Sequence, residues 1–267
     1  MKQDINPATS ALINRPNYHQ SAIKTFLMCG QRYMFRYVDG IRMPIGVAAT
    51  TGSAVDTAIN HNLAHKVKTG ECVTLEEALD VCATDFEKRL PETSFHEDEK
   101  PGEFKDAALS IVKAHTQGLA TALKPVAVQM EFVVETDAGF DIGGTIDIIE
   151  EDGQLRDTKT ASRQRASSYE VNRSFQPALY DYAFTAITGR QSPGWAFDIF
   201  TRPTKTLGVE YKPKYGKVTA ADHEWLFNGI NQVHRAITAG IALPAPEGSW
   251  YCSEKWCEYW AICKGRK

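Results

Sequence analysis

The sequence predicts a single α/β (α+β) domain, with a central mixed sheet flanked by helices and preceded by a mainly helical portion. Three observations carry that expectation. Apolar residues recur at helical spacing up to about residue 123. After Pro125 the period falls from 3.6 to 2 through three consecutive strand patterns. Helical and strand patterns then alternate. The expected organisation of residues 1–267 is a helical portion at about 19–123, a sheet-bearing core at about 125–240 and a cysteine-rich segment at 250–267.

The first helix is expected over 21–38, where Ile23, Phe26, Leu27, Met34, Tyr37 and Val38 share one stripe. A second covers 50–67, with Val55, Ala58, Ile59 and Leu63 at helical spacing. A third opens with "TLEE", in which Thr74 and Glu77 can satisfy each other's backbone donors. The acidic, proline-flanked stretch 91–104 reads as a loop, and a further helix runs from about Glu103 to Leu123. "VAVQMEFVVE" then alternates, with Val126, Val128, Met130, Phe132 and Val134 on one face and Gln129, Glu131 and Glu135 on the other. "TDAG" and "EEDG" turn the chain into "FDIGGTIDII" and "QLRDTKTA", giving a three-strand meander. A helix follows from about Ser174 to Gly189, with Pro177 tolerated in its first turn. "GWAFDIFTR" and "LGVEYKP" read as strands, and a capped helix beginning near Thr219 ends at Gly240.

Composition excludes some roles. No apolar run approaches the roughly 20 residues that span a bilayer, and the first residues lack the apolar core of a signal peptide, so a soluble cytoplasmic protein without membrane partners is expected. A net charge of −3 argues against broad adhesion to nucleic acid but leaves room for a local basic groove. Six cysteines without an export signal point to free thiols, a metal or a cluster rather than disulfides.

The charged residues within the meander are the unusual feature. Alternation puts Asp157 and Lys159 on one strand face, and a turn near Asp152–Gly153 sets Asp147 opposite them. Glu131 points away from the apolar face of its strand and can join them. Converging carboxylates drive one another toward protonation unless a cation lies among them, and carboxylate oxygens favour Mg²⁺ or Mn²⁺. A bare D-x-K, however, is also what a surface salt bridge looks like.

Here the motif has company: Glu131, then "GTID" ending at Asp147, "DTKT" with Asp157 and Lys159, and "QPALY" with Gln176 and Tyr180. This order resembles the PD-(D/E)xK nuclease superfamily, specifically its RecB-like exonuclease branch. The resemblance implies a restriction-endonuclease-like core and metal-dependent, sequence-independent hydrolysis of DNA, single-stranded or at a duplex end. It assigns Glu131, Asp147, Asp157, Lys159, Gln176 and Tyr180 to catalysis, and Mg²⁺ or Mn²⁺ to Asp147 and Asp157. The branch carries a metal-binding histidine in an early helix, where this chain has "GSAVD". Asp56 therefore stands as the third metal ligand, with His61 or His65 as alternatives. Rival readings are a structure-specific or CRISPR-adaptation endonuclease and a catalytically quiet binding subunit, and RNA stays open as a substrate. A helicase, recombinase or single-strand-binding partner and a phage setting are analogies only.

Cys252, Cys257 and Cys263 lie within twelve residues of one another, and Cys29 is the candidate fourth ligand of a soft metal or cluster. AddB-type and CRISPR-associated members of the branch clamp a [4Fe–4S] cluster with one early and three late cysteines, which implies the same for these four. The C-x4-C-x5-C spacing is longer than usual in its first interval, so Zn²⁺ is the alternative. Small buried thiols are the plain reading, as for Cys72 and Cys82. Trp250, Trp256, Tyr259 and Trp260 fit a packed shell there better than a base-stacking surface. Arg163, Arg165 and Arg173 follow Lys159 and are the expected nucleic-acid contacts. Further basic positions are Lys212, Lys214, Lys217, Lys264, Arg266 and Lys267.

Overall fold

The computed structural model describes residues 15–263. Lys264, Arg266 and Lys267 lie outside the described residues. The elements run β1 (Asn17–His19), α1 (Gln20–Met28), α2 (Gly30–Tyr33), β2 (Ile45–Gly46), α3 (Val47–Thr69), α4 (Leu75–Arg89), β3 (Thr93–Ser94), α5 (Pro101–Gln117) and α6 (Leu119–Ala122). The second half holds β4 (Pro125–Glu135), β5 (Asp141–Glu150), β6 (Leu155–Ala161), α7 (Arg163–Ala166), α8 (Phe175–Thr188), β7 (Trp195–Thr201), β8 (Glu210–Gly216) and α9 (Ala220–Thr238). No helix among the described residues is long and apolar enough to cross a membrane.

The sheet is mixed and runs β1-β5-β6-β7-β8, with β4 also paired to β5. β4–β5, β5–β6 and β7–β8 are antiparallel, whereas β1–β5 and β6–β7 are parallel. A parallel pair needs a crossover, and α7 and α8 supply it between β6 and β7. One sheet face packs Ile142, Ile146, Leu155 and Phe197 against Ile23 of α1, Leu179 and Phe184 of α8, and Leu226 and Ile230 of α9. The other packs Ile148 and Phe200 against Val55, Ile59 and Leu63 of α3, Phe86 of α4 and Ile111 of α5. β7 is buried at all seven positions, as a central strand covered on both faces must be.

Capping chemistry sets several ends. Thr74 Oγ1 accepts from Glu77 N–H at 3.2 Å, but the Glu77 carboxylate pairs with His61 rather than closing the box. Thr219 and Asp222 make a complete capping box on α9. Gly189, at φ 67°, ends α8 in the left-handed conformation that glycine adopts without strain.

The helix expected over 21–38 is broken. α1 stops at Cys29, whose extended backbone starts α2, and a π-helical segment Met34–Val38 follows. The cause is tertiary. Gly30 N–H donates to Leu243 O at 2.8 Å, and a Cβ on Gly30 would lie 2.9 Å from Leu243 N, so this turn is fitted to a distant backbone. The expected stripe fails on both sides of the break, with Leu27 near the end of α1 and Val38 at the end of the π-helical segment exposed. Gly118 likewise divides the helix expected up to Leu123.

Candidate active site

β5 and β6 pair only beside their turn, at Ile148↔Arg156 and Ile149↔Leu155. Extending that register brings Asp147 opposite Asp157, one step past the last ladder pair. The strands thus separate where they become acidic. Asp157 is buried. Its Oδ1 accepts from Gln176 Nε2 of α8 at 2.9 Å, and its Oδ2 lies 2.6 Å from Lys159 Nζ. That contact is ionic, since Oδ2 takes no well-formed hydrogen bond. Asp147 Oδ1 accepts from Gln129 Nε2 at 2.9 Å. Asp56 of α3 joins from the other side of the sheet, and its side chain opens onto solvent.

The electrostatics show how close these groups are. Burial raises the pKa of Asp147 well above the carboxylate range, and the Asp157 and Asp56 carboxylates add to the rise while Lys159 opposes it. Desolvation in the cleft, then the charge of Asp157, pushes Asp56 up to about 7, against Lys159 and Arg89. Burial alone would lower the Lys159 pKa, but Asp157, Asp147 and Asp56 raise it above its ordinary value and hold the amine protonated. Three carboxylates facing one ammonium leave negative charge uncompensated when all are ionised. An all-oxygen donor set with that excess, including a buried Oδ2 without a hydrogen bond, fits a hard divalent cation. Among the described residues, no three His, Cys, Asp or Glu side chains are already drawn into a closed ligand set.

Glycine shapes the wall of the site. A Cβ on Gly144 would lie 2.9 Å from Phe132 Cζ and 3.1 Å from Tyr180 Cε1, so the bare backbone lets α8 approach β5. Tyr180 is thereby brought beside the carboxylates. Burial raises its pKa first, and Asp147 and Asp157 raise it further.

The structure thus brings together Asp56, Asp147, Asp157, Lys159, Gln176 and Tyr180. Glu131 is not among them. It is exposed opposite Thr145, and Gln129, two residues earlier, is the β4 side chain that reaches Asp147. Gln129 shared the polar face assigned from the sequence; only the β4–β5 register distinguishes the two. His61 binds Glu77, and His65 binds the Glu71 carbonyl. Arg163 is paired with Glu210 and donates to Gly208 O, so it ties α7 to β8. Arg165 and Arg173 are exposed. Lys212 pairs with Glu210 and Lys214 with Glu170.

Cys29, Cys252, Cys257 and Cys263 line one cleft of about 560 Å³, away from the carboxylates. All four are free thiols; Cys29 Sγ accepts from Arg32 N–H at 3.4 Å, and burial raises the Cys257 pKa. Side-chain contacts tie the tail to the early helices. Arg32 forks onto Glu258, with bonds of 2.8 and 3.1 Å to Oε1. Tyr259 O–H donates to Ile41 O at 2.9 Å. Trp250, Tyr259 and Trp260 line the same cleft, with Tyr259 buried and Trp250 exposed, whereas Trp256 is exposed outside the lining.

Comparison with known proteins bears on the family and the fold. The family model of the PD-(D/E)XK nuclease superfamily matches residues 19–264. No curated protein matches the chain. A crystal structure from Eubacterium rectale, of a protein provisionally named an exonuclease, superposes with a TM-score of 0.60 at 15% identity, covering 94% of this chain and 92% of that one. The crystal structure of SSO0001 gives a TM-score of 0.39 at 12% identity, over 93% and 96% of the two chains, and carries no argument.

Proposed function

The chain belongs to the PD-(D/E)XK nuclease superfamily, and from that premise we propose that it is a Mg²⁺- or Mn²⁺-dependent DNA exonuclease that cleaves without sequence preference. The observation that carries the chemistry is the convergence of Asp56, Asp147 and Asp157 around Lys159 at the parting of β5 and β6. The name given to the Eubacterium rectale structure agrees with the exonuclease reading.

Asp147 and Asp157 would hold the ion, with Asp56 as a third ligand. When bound, such an ion lowers the pKa of water and offsets charge on a phosphate. The chain's own residues supply the rest. Gln176 and Gln129 fix the rotamers of Asp157 and Asp147, so the carboxylates are oriented before anything binds. Lys159, kept protonated by its neighbours, is a donor rather than a base. It can orient the attacking water and stabilise negative charge growing on the phosphate oxygens. Tyr180 walls the site beside Gly144.

We also propose that Cys29, Cys252, Cys257 and Cys263 ligate a [4Fe–4S] cluster, with Zn²⁺ as the alternative. Their shared cleft supports the assignment, as thiolate donors suit either group.

The test is cleavage of end-labelled linear and closed circular DNA with Mg²⁺, Mn²⁺ or EDTA. The proposal expects metal-dependent loss of linear DNA only, reduced roughly 100-fold or more in Asp157→Asn and Lys159→Ala. Cut circles would make the enzyme an endonuclease. Undiminished cleavage by both variants would remove the site assignment.

A further inference from the structure

Among the described residues, five arginines pair with a carboxylate: Arg15 with Asp141, Arg32 with Glu258, Arg89 with Asp85, Arg156 with Asp198 and Arg163 with Glu210. Lys24, Arg165 and Arg202 have no ion-pair partner among the described residues, yet they gather at one place. Arg202 N–H donates to Ala161 O at 2.9 Å, which sets it at the end of β6, just past Lys159. Arg165 lies on α7, which opens directly from that strand end with Ser162 as its cap. Lys24 stands exposed on α1, beside the buried Ile23 that joins the same core as β6. The Arg202 guanidinium rests 5.3 Å from the centre of the Phe104 ring, which limits its wandering.

These charges feel one another. The Lys24 pKa is lowered by desolvation, then by Arg165 and by Lys159. Desolvation lowers that of Arg202, Glu99 opposes the fall, and Arg165 adds a smaller contribution to it. Like charges brought together are unfavourable in the free protein, and an anion placed among Lys24, Arg165 and Lys159 relieves the repulsion. A nucleic-acid strand brings a phosphate every few ångströms, so an attacked phosphate at Lys159 has neighbours within reach of this cluster.

We infer that Lys24, Arg165 and Arg202 form a phosphate-binding site for the substrate strand, adjoining the phosphate attacked at Asp157 and Lys159. This rests on the nuclease reading and narrows it: the strand leaves the catalytic carboxylates past the end of β6, between α1 and α7. Lys24 and Arg202 stand outside the basic positions singled out from the sequence, and Arg163 is engaged by Glu210. The phosphate bound is either an internal diester or a terminal monoester.

The experiment measures binding of a short single-stranded oligodeoxynucleotide, with phosphorylated or hydroxyl ends, in EDTA across a salt series. Lys24→Gln and Arg165→Gln should each weaken binding roughly tenfold, the loss of one charge-assisted contact. Each should also flatten the slope of log K against log salt by about 0.7, as one single-strand phosphate contact is lost. Arg165→Lys should retain most of both. With Mg²⁺ or Mn²⁺, KM should rise more than kcat falls. Lys68→Gln removes the same charge about 18 Å along α3 from Asp56 and should change nothing. A loss confined to phosphorylated ends identifies a terminal phosphate, and equal losses identify an internal diester; either supports the site. Wild-type affinity and slope in both glutamine variants, beside a wild-type enzyme that binds and cleaves, overturn this inference alone. A wild-type protein that neither binds nor cleaves nucleic acid overturns it together with the nuclease reading.

Discussion

At the scale of single residues, the site was legible where its members sit close in sequence. Asp157 and Lys159 share a strand face, and "GTID" and "QPALY" flank them at spacings that only a folded site explains. Gln129 was not legible, because choosing it over Glu131 requires the strand register. Another residue invisible to pattern is His115, which lies fully buried on α5 with no hydrogen-bond partner for either ring nitrogen among the described residues. Burial, and then the charge of Arg156, pushes its pKa down to about 3. The fold therefore accepts only the neutral ring. As pH falls below about 6.5, the unfolded chain takes up a proton that the folded chain refuses, so stability declines steadily toward pH of about 3. Urea denaturation of His115→Leu should show this as a flatter acid limb. Between about pH 7 and pH 5 the variant should lose about 2 kcal/mol less than the wild type, whatever its offset at neutral pH. Parallel acid limbs would show that His115 is not the group responsible.

At the scale of elements, the meander, α8 and α9 could be read locally, since alternation, Gly189 and the Thr219–Asp222 box each act within a few residues. The early helix could not. Its break at Cys29 answers to Leu243, more than two hundred residues away, and no window of sequence contains both. The two-residue strands β2 and β3 escaped for the same reason, because they exist only as partners of each other. Close packing of elements also yields a prediction. Ala at position 144 would press on Phe132 and Tyr180, both held by ring contacts, so α8 must shift off the sheet. Gly144→Ala should cost about 1–3 kcal/mol of stability by denaturant titration. It should also reduce cleavage, because the same helix carries Gln176 to Asp157. Full activity in a folded Gly144→Ala protein would show that the helix is free to adapt.

At the scale of the whole molecule, the late segment closes on the early helices around the cysteine cleft, and Arg32–Glu258 and Tyr259–Ile41 hold it there by ordinary contacts. If the proposed cluster forms, protein purified without air should carry iron and visible absorbance, and Cys29→Ser should lose most of both. Colourless, iron-free wild-type protein with no zinc would leave the closure to those contacts alone. The β5–β6 pairing, by contrast, is short. The ladder between β5 and β6 ends one residue before Asp147 and Asp157, and their turn pivots on Gly153 at φ 92°. In mechanical terms the two carboxylates are the tips of a sprung calliper, joined stiffly at the hinge and not at the jaws. No β5–β6 backbone hydrogen bond spans the gap, so its width is set by the ladders that hold β5 to β4 and β6 to β7, and the proposed ion would meet jaws positioned from outside rather than from between.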